Sequence, residues 1–320
     1  MKSFLITARR LILTTALLLF GSTTNLHAQT TENIGVDPEL GTLVTAEWLE
    51  QHLDDPDLVV LDCTVKVEFG EDGSFRSVSG RPDYEAGHIP SAGFADLLGD
   101  LSDTSSSLQF VMPTAEQFRA AMSALGVGDK TRVVLYDAKR TVWAARVWWM
   151  LRWIGFDSVA VLDGGLEAWK AANLPLSTEP ANHPAGQLTV NLRPELIADR
   201  DEVFAAIGND KIQIVDALPE SHYRGEMVMY EWPGHIPGAS NTPSSSLVNE
   251  SGQYRPTGEL AALFAGTPDN RTITYCGGGV AASSNAFILT RLGFTDVAVY
   301  MGSLQEWTSS MDNPMEVETP

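Results

Sequence analysis

Thr272-Ile273-Thr274-Tyr275-Cys276-Gly277-Gly278-Gly279-Val280-Ala281-Ala282 reads as a strand, a glycine turn and the start of a helix. A short apolar run delivers Cys276. Three glycines follow, and apolar spacing predicts a helix from about Ala281 to Leu292. The same order occurs earlier in the chain. Arg132-Val133-Val134-Leu135-Tyr136-Asp137 leads into an apolar helical stretch around Ala144 to Leu151. Asp137 therefore stands where the later copy carries Cys276, 139 residues further on.

Working outward, the landmarks on either side also come in pairs. Leu58-Val59-Val60-Leu61-Asp62 matches Ile212-Gln213-Ile214-Val215-Asp216, and Gly87-His88-Ile89-Pro90 matches Gly234-His235-Ile236-Pro237. Gly164-Gly165-Leu166-Glu167-Ala168-Trp169 matches Gly302-Ser303-Leu304-Gln305-Glu306-Trp307. Paired landmarks in one order predict a duplicated domain. Strands apolar on both faces, alternating with helices, predict the α/β class with two mostly parallel sheets, each flanked by helices. The expected boundaries are a first domain over 42–170, a proline-bearing linker over 171–190 and a second domain over 191–320. Trp143, Trp148, Trp149 and Trp153 are expected to serve core and interdomain packing. Asp62 and Asp216 are expected to brace the turns after their strands.

The chain has 320 residues, enough for two domains, and 44% of them are apolar. Lys2, Arg9 and Arg10 precede an apolar run from Leu11 to Gly21, and Asn25-Leu26-His27-Ala28 offers a cleavage point. This pattern predicts a signal peptide over 1–28 followed by a lead-in segment over 29–41. Export to the periplasm is the expected destination, with the cell exterior second. The formal charge is −20. Such a chain is not expected to bind nucleic acid, nor a membrane once the leader is removed. An anionic substrate would need a locally positive site. The two cysteines are Cys63, at the end of a buried-strand pattern, and Cys276. A buried free thiol is the plainer reading of Cys63, and a disulfide is the alternative.

The glycine turn has chemical consequences. Without Cβ atoms, successive amides can turn toward one centre, and the following helix aims its free N-terminal N–H groups at the same place. That field favours a thiolate over a thiol and suits a bound anion. A tight turn with an incidental cysteine would need none of this.

These motifs resemble the tandem-domain rhodanese and mercaptopyruvate sulfurtransferase family. The resemblance rests on the two Gly-His-Ile-Pro turns, on Val161 to Trp169 with its echo Gly302 to Trp307, and on the six-residue active loop Cys276 to Ala281. It implies two rhodanese-like domains. The first would be non-catalytic, with Asp137 at the cysteine position, and the second catalytic through Cys276. It also implies a cysteine persulfide, ping-pong transfer and no metal or organic cofactor. A small anionic sulfur donor would load the cysteine; a thiol, cyanide or a thioredoxin-like protein would accept the sulfur. A monomer is expected, since both domains are already fused.

Carried over by position, the substrate-binding candidates are Gly277, Gly278, Gly279, Val280, Ala281, Arg224, His222 and Arg81. His88 is a catalytic candidate beside Cys276. Arg224 could equally form a surface ion pair with Glu220 or Glu226. His88 could equally be scaffold, because His235 repeats it. The loop lacks the basic residues usual in thiosulfate enzymes and the serine usual in mercaptopyruvate enzymes. Thiosulfate or a related small donor is put first and 3-mercaptopyruvate second. A persulfide carrier with little small-molecule turnover is the third reading. Phosphatase chemistry is disfavoured, because the loop has no arginine.

Overall fold

The computed structural model describes Met1, residues 40–70 and residues 75–318. The leader expected over 1–28 and the lead-in up to residue 39 lie outside them. Among the described residues no helix is long and apolar enough to cross a membrane.

The first repeat runs β1 (Leu43–Val44), α1 (Ala46–His52), β2 (Leu58–Asp62), the hairpin β3 (Val65–Phe69) and β4 (Phe75–Ser79), then α2 (Arg81–Ala86), β5 (Gly93–Phe94), α3 (Ala115–Ala124), β6 (Arg132–Tyr136), α4 (Val142–Trp153), β7 (Val159–Leu162) and α5 (Gly165–Ala171). The second runs β8 (Ile197–Ala198), α6 (Arg200–Ala206), β9 (Ile212–Asp216), α7 (Glu220–Tyr223), β10 (Ser240–Asn241), α8 (Thr257–Ala261), β11 (Arg271–Tyr275), α9 (Val280–Arg291), β12 (Val297–Tyr300) and α10 (Ser303–Trp307). The sheets are β1-β7-β6-β2-β5 and β8-β12-β11-β9-β10, every pairing parallel. Strand for strand the two orders are the same, which the paired landmarks anticipated.

Helices start where the sequence supplies caps. The side chains of Thr45, Thr114 and Asp199 accept the amides of Trp48, Gln117 and Glu202 at 3.2, 3.2 and 2.8 Å. The strands alternate between two cores. Val133 and Leu135 face inward, while Val134 and Tyr136 pack outward with Trp169. Ile273 and Tyr275 likewise pack outward with Trp307. The inner faces of both sheets share one core, with α4 and α9 packed against each other in its middle. Trp148 meets the ring of Phe287 edge-on across that contact, with centroids 4.8 Å apart.

Each repeat closes with the same strap. The Trp169 indole donates to the carbonyl of Pro175 at 2.8 Å, and the chain then bridges Ser177 to His88. The Trp307 indole donates to the carbonyl of Pro314 at 3.0 Å, and the chain bridges Glu316 to His235. The segment expected as a linker is thus partly the first repeat's strap. It continues along the first domain, where the Gly186 amide donates to the Ser123 carbonyl at 2.8 Å. The acidic C-terminal segment is the second strap.

Two excursions cross the domain boundary. The segment between β5 and α3 brings Phe110 under the Cys276 loop, and the segment between β10 and α8 brings Tyr254 to the Asp137 loop. The first is tied down by Gln305, whose side-chain amide donates to the Gln109 carbonyl at 2.7 Å. The second is tied down by the Tyr254 amide, which donates to Asp163 at 2.8 Å.

Candidate active site

Cys276 follows the carboxyl end of β11, a central strand, where open parallel sheets gather ligands. Its amide donates to the Ser303 hydroxyl at 3.1 Å, and its carbonyl accepts the Leu304 amide at 3.0 Å. The backbone of the nucleophile candidate is therefore pinned to α10. Among the described residues, the amides of Gly277 to Ala282 have no protein acceptor. They form the N-terminal crown of α9, which has twelve residues.

Two of the loop's three glycines stand where a side chain would collide. Gly279 has φ of 78°, and a Cβ there would lie 2.6 Å from Nη1 of Arg146. A Cβ on Gly277 would collide with the hydroxyl of Tyr230. The loop is bare because other parts of the molecule press on it.

The first domain holds the same cradle already filled. The Asp137 carboxylate accepts the amides of Lys139, Thr141, Trp143 and Ala144 at 3.1, 2.9, 2.9 and 3.3 Å. Burial pushes the Asp137 carboxyl up, and the four amides pull it back down. A carboxyl group that accepts four amides thus occupies this fold's cradle in the molecule itself.

Cys276 opens on a cavity of about 310 Å³. The active loop supplies Cys276, Gly277, Gly278, Val280 and Ala281 to its wall. Phe110, Val142, Trp143, Leu218, Met229, Tyr230 and Val248 make the wall mainly apolar. Ser244 and Ser245 bring hydroxyls, Val67 and Ser77 come from the β3–β4 hairpin, and Arg140 brings a cation. Arg140 pairs with no carboxylate among the described residues. Burial and the nearby Cys276 both push the Tyr230 phenol up, so it stays protonated.

Five candidates lie outside this cavity wall, the first being Gly279, which faces Arg146 and Met301 instead. His88 is buried, stacked on Tyr84 at 4.0 Å, and its ring nitrogens face the carbonyls of Tyr84 and Glu179 at 2.7 and 2.9 Å. His235 stacks on Tyr223 at 3.7 Å in the same way, so both turns are scaffold. Arg224 pairs with Glu220 at 2.5 Å and Glu318 at 3.2 Å on the surface. Arg81 lies over the Phe94 ring at 4.6 Å, with Asp96 3.8 Å away. His222 is buried beside the Met227 backbone, and burial pulls its pKa down, holding it neutral.

Other expectations fare differently. Asp62 and Asp216 accept the amides of Thr64 and Leu218, each at 2.8 Å, and so brace their turns. Cys63 is fully buried and, like Cys276, is a free thiol. Trp148 and Trp149 are core, whereas Trp143 lines the cavity.

Sequence reasoning passed over Arg140, Arg146 and Tyr230. Arg140 sits in the sister of the cysteine loop. Arg146 is the one charge inside the apolar stretch Ala144 to Leu151. Tyr230 lies in extra chain between Tyr223 and His235, where the first repeat passes directly from Tyr84 to His88. Those departures from pattern were the available signals.

The Rhodanese-like domain model matches residues 45–172 and 199–310. The 3-mercaptopyruvate sulfurtransferase of Escherichia coli strain K12 is 36% identical over 282 residues, spanning 85% of this chain and 97% of that protein. The sulfur carrier protein TtuD of Thermus thermophilus is 34% identical, spanning 85% of this chain and 95% of that protein. The crystal structure of SseA from Escherichia coli, a 3-mercaptopyruvate sulfotransferase with the rhodanese fold, superposes with a TM-score of 0.72 at 34% identity and covers 82% of this chain and 98% of that one. Two matched domains and two identically ordered sheets lead to one conclusion: the chain belongs to the rhodanese-domain sulfurtransferase family, as a tandem member.

Proposed function

We propose that Cys276 is the nucleophile of this sulfurtransferase and that its donor is a small thiol acid of the 3-mercaptopyruvate type. One observation carries the reading. Cys276 sits beside a crown of amides with no protein acceptor among the described residues, and the counterpart crown in the first domain donates to the Asp137 carboxyl group. The thiolate attacks the donor sulfur and a new S–S bond forms. With 3-mercaptopyruvate the C–S bond breaks, its electron pair leaves as the pyruvate enolate, and the thiol proton ends on that carbon. With thiosulfate the S–S bond breaks and its pair leaves on sulfite. Either way the enzyme keeps a persulfide, which a thiol or cyanide removes.

The cavity favours the first donor. Its wall is mostly apolar and, among the described residues, offers one side-chain cation, Arg140, which suits a single carboxylate. Doubly charged thiosulfate would meet little compensating charge there. The names of the Escherichia coli relatives point the same way. A carrier role for a protein acceptor is the second reading. Exposed Met227, Val228 and Trp232 flank Met229 and Tyr230 at the cavity, and the Thermus relative bears a carrier's name.

The test compares turnover of the mature protein with each donor, using cyanide and a thiol as acceptors. A higher kcat/KM for 3-mercaptopyruvate is expected, and Arg140→Ala should raise KM for it about tenfold. Preference for thiosulfate would reverse the donor assignment. Persulfide loading without turnover would establish the carrier. We also propose that the protein works in the periplasm, after cleavage behind Ala28. N-terminal sequencing of a periplasmic extract should read from Gln29, and a cytoplasmic, full-length product would refute this.

A further inference from the structure

Arg146 lies in the middle of the first domain's helix α4, yet its guanidinium reaches under the second domain's active loop. The side chain is buried, with 1% of its surface exposed. Nη2 donates to the Phe110 carbonyl at 2.8 Å and lies 3.4 Å from the Met112 sulfur. Nη1 rests on the Met301 sulfur, and Nε has no partner. Among the described residues no carboxylate pairs with it.

A buried guanidinium without a counter-ion is costly, because desolvation is not repaid by attraction. This one is nevertheless firmly held. Phe110, whose carbonyl receives it, has φ of 56°, an unfavourable conformation for a bulky residue. Helix register from the N-caps Thr141 and Gly279 makes Ser284 the counterpart of Arg146 on α9. So the charge has been placed under the cysteine loop only. Burial pulls Arg146 down to about 10, even with the charge of Cys276 drawing it up.

We infer that Arg146 is a positioning residue that supplies the counter-charge to the Cys276 thiolate and persulfide from the non-catalytic domain. The inference rests on the proposed role of Cys276. Among the described residues, the other titratable groups on the cavity wall are Arg140 before α4 and Tyr230 from the chain after α7, whose phenol feels the charge of Cys276; Asp216, at the end of β9, pairs in register with Tyr275 and also acts on Tyr230. Of the two cations, only Arg146 is shut away from solvent, where screening is weakest.

The experiment follows alkylation of Cys276 by iodoacetamide as a function of pH, with Cys276→Ser as the blank. The wild-type midpoint should lie below the free-cysteine value of about 8.5. Arg146→Gln should raise it by about one unit, slowing alkylation about tenfold at lower pH, and Arg146→Lys should restore most of the loss. An unchanged midpoint in an Arg146→Gln protein with native circular dichroism would overturn the inference. If that variant does not fold, a wild-type midpoint at the free-cysteine value overturns it equally. Persulfide loading of wild type by 3-mercaptopyruvate, read by intact mass, tests the underlying role separately. Loading with an unmoved midpoint sinks only the part given to Arg146, and a shifted midpoint without loading sinks only the sulfur chemistry.

Discussion

Gly277 has no freedom to become anything larger, because the Tyr230 ring occupies the space beside it. Gly277→Ala should cost about 1–3 kcal/mol, the usual penalty for forcing atoms into a packed site. The same change in a Tyr230→Ala background should cost little. Urea unfolding of the four proteins closes the cycle, and additive losses would contradict the contact. Asp216 makes a different kind of demand. Burial pushes its carboxyl up to about 6, and Oδ2 has no partner. A carboxyl raised on folding binds more protons in the native state than in the unfolded one. Its contribution is complete below the unfolded pKa near 3.8 and is lost as pH rises through about 6. The shift corresponds to at most about 3 kcal/mol. Asp216→Asn should therefore flatten the fall in stability between pH 4 and pH 6.5, measured by urea unfolding. A decline as steep as in wild type would place the titration elsewhere.

Helix α4 begins on the Asp137 carboxyl group, and α9 begins on amides with no protein acceptor among the described residues. Asp137→Ala leaves four amides, two of them buried, without their acceptor, and about 2–3 kcal/mol of stability should go with them. The expected loss is checked by denaturant midpoints, and Asp137→Asn should fall between wild type and alanine. This pair of helix starts was open to reading from sequence, since Asp137 and Cys276 end matching strands before matching helices. What the alignment of motifs could not give was which side chains reach the cavity. Arg140 and Trp143 belong to the first domain and arrive because α4 packs on α9, while Phe110 arrives on the segment that Gln305 holds. His88, Arg224, His222 and Arg81 were carried over by sequence position, and each is engaged locally instead. For His88 the warning was visible, because a turn repeated in both copies serves the feature both copies share. For Arg224, nearby Glu220 already offered a competing partner.

The two repeats do not have separate interiors. Residues from both sheets enter one core around α4 and α9, so neither repeat can keep its inner face dry alone. Calorimetry should show a single unfolding transition. Phe287→Ala, which opens the contact with Trp148, should lower it as a whole by about 3–5 kcal/mol. Two resolved transitions would show that the repeats are independent. At this scale the sequence was most informative, because duplication follows from the paired landmarks and a mostly parallel sheet from strands apolar on both faces. It was least informative about charge, since a chain of formal charge −20 brings Arg140 and Arg146 to one cysteine only through its tertiary structure. Everything proposed for the site depends on sulfur residing on Cys276. The direct measurement is the intact mass of wild type and Cys276→Ser after incubation with 3-mercaptopyruvate and, separately, thiosulfate. One added sulfur on wild type and none on Cys276→Ser is the expected result. An added sulfur that survives in Cys276→Ser would contradict it.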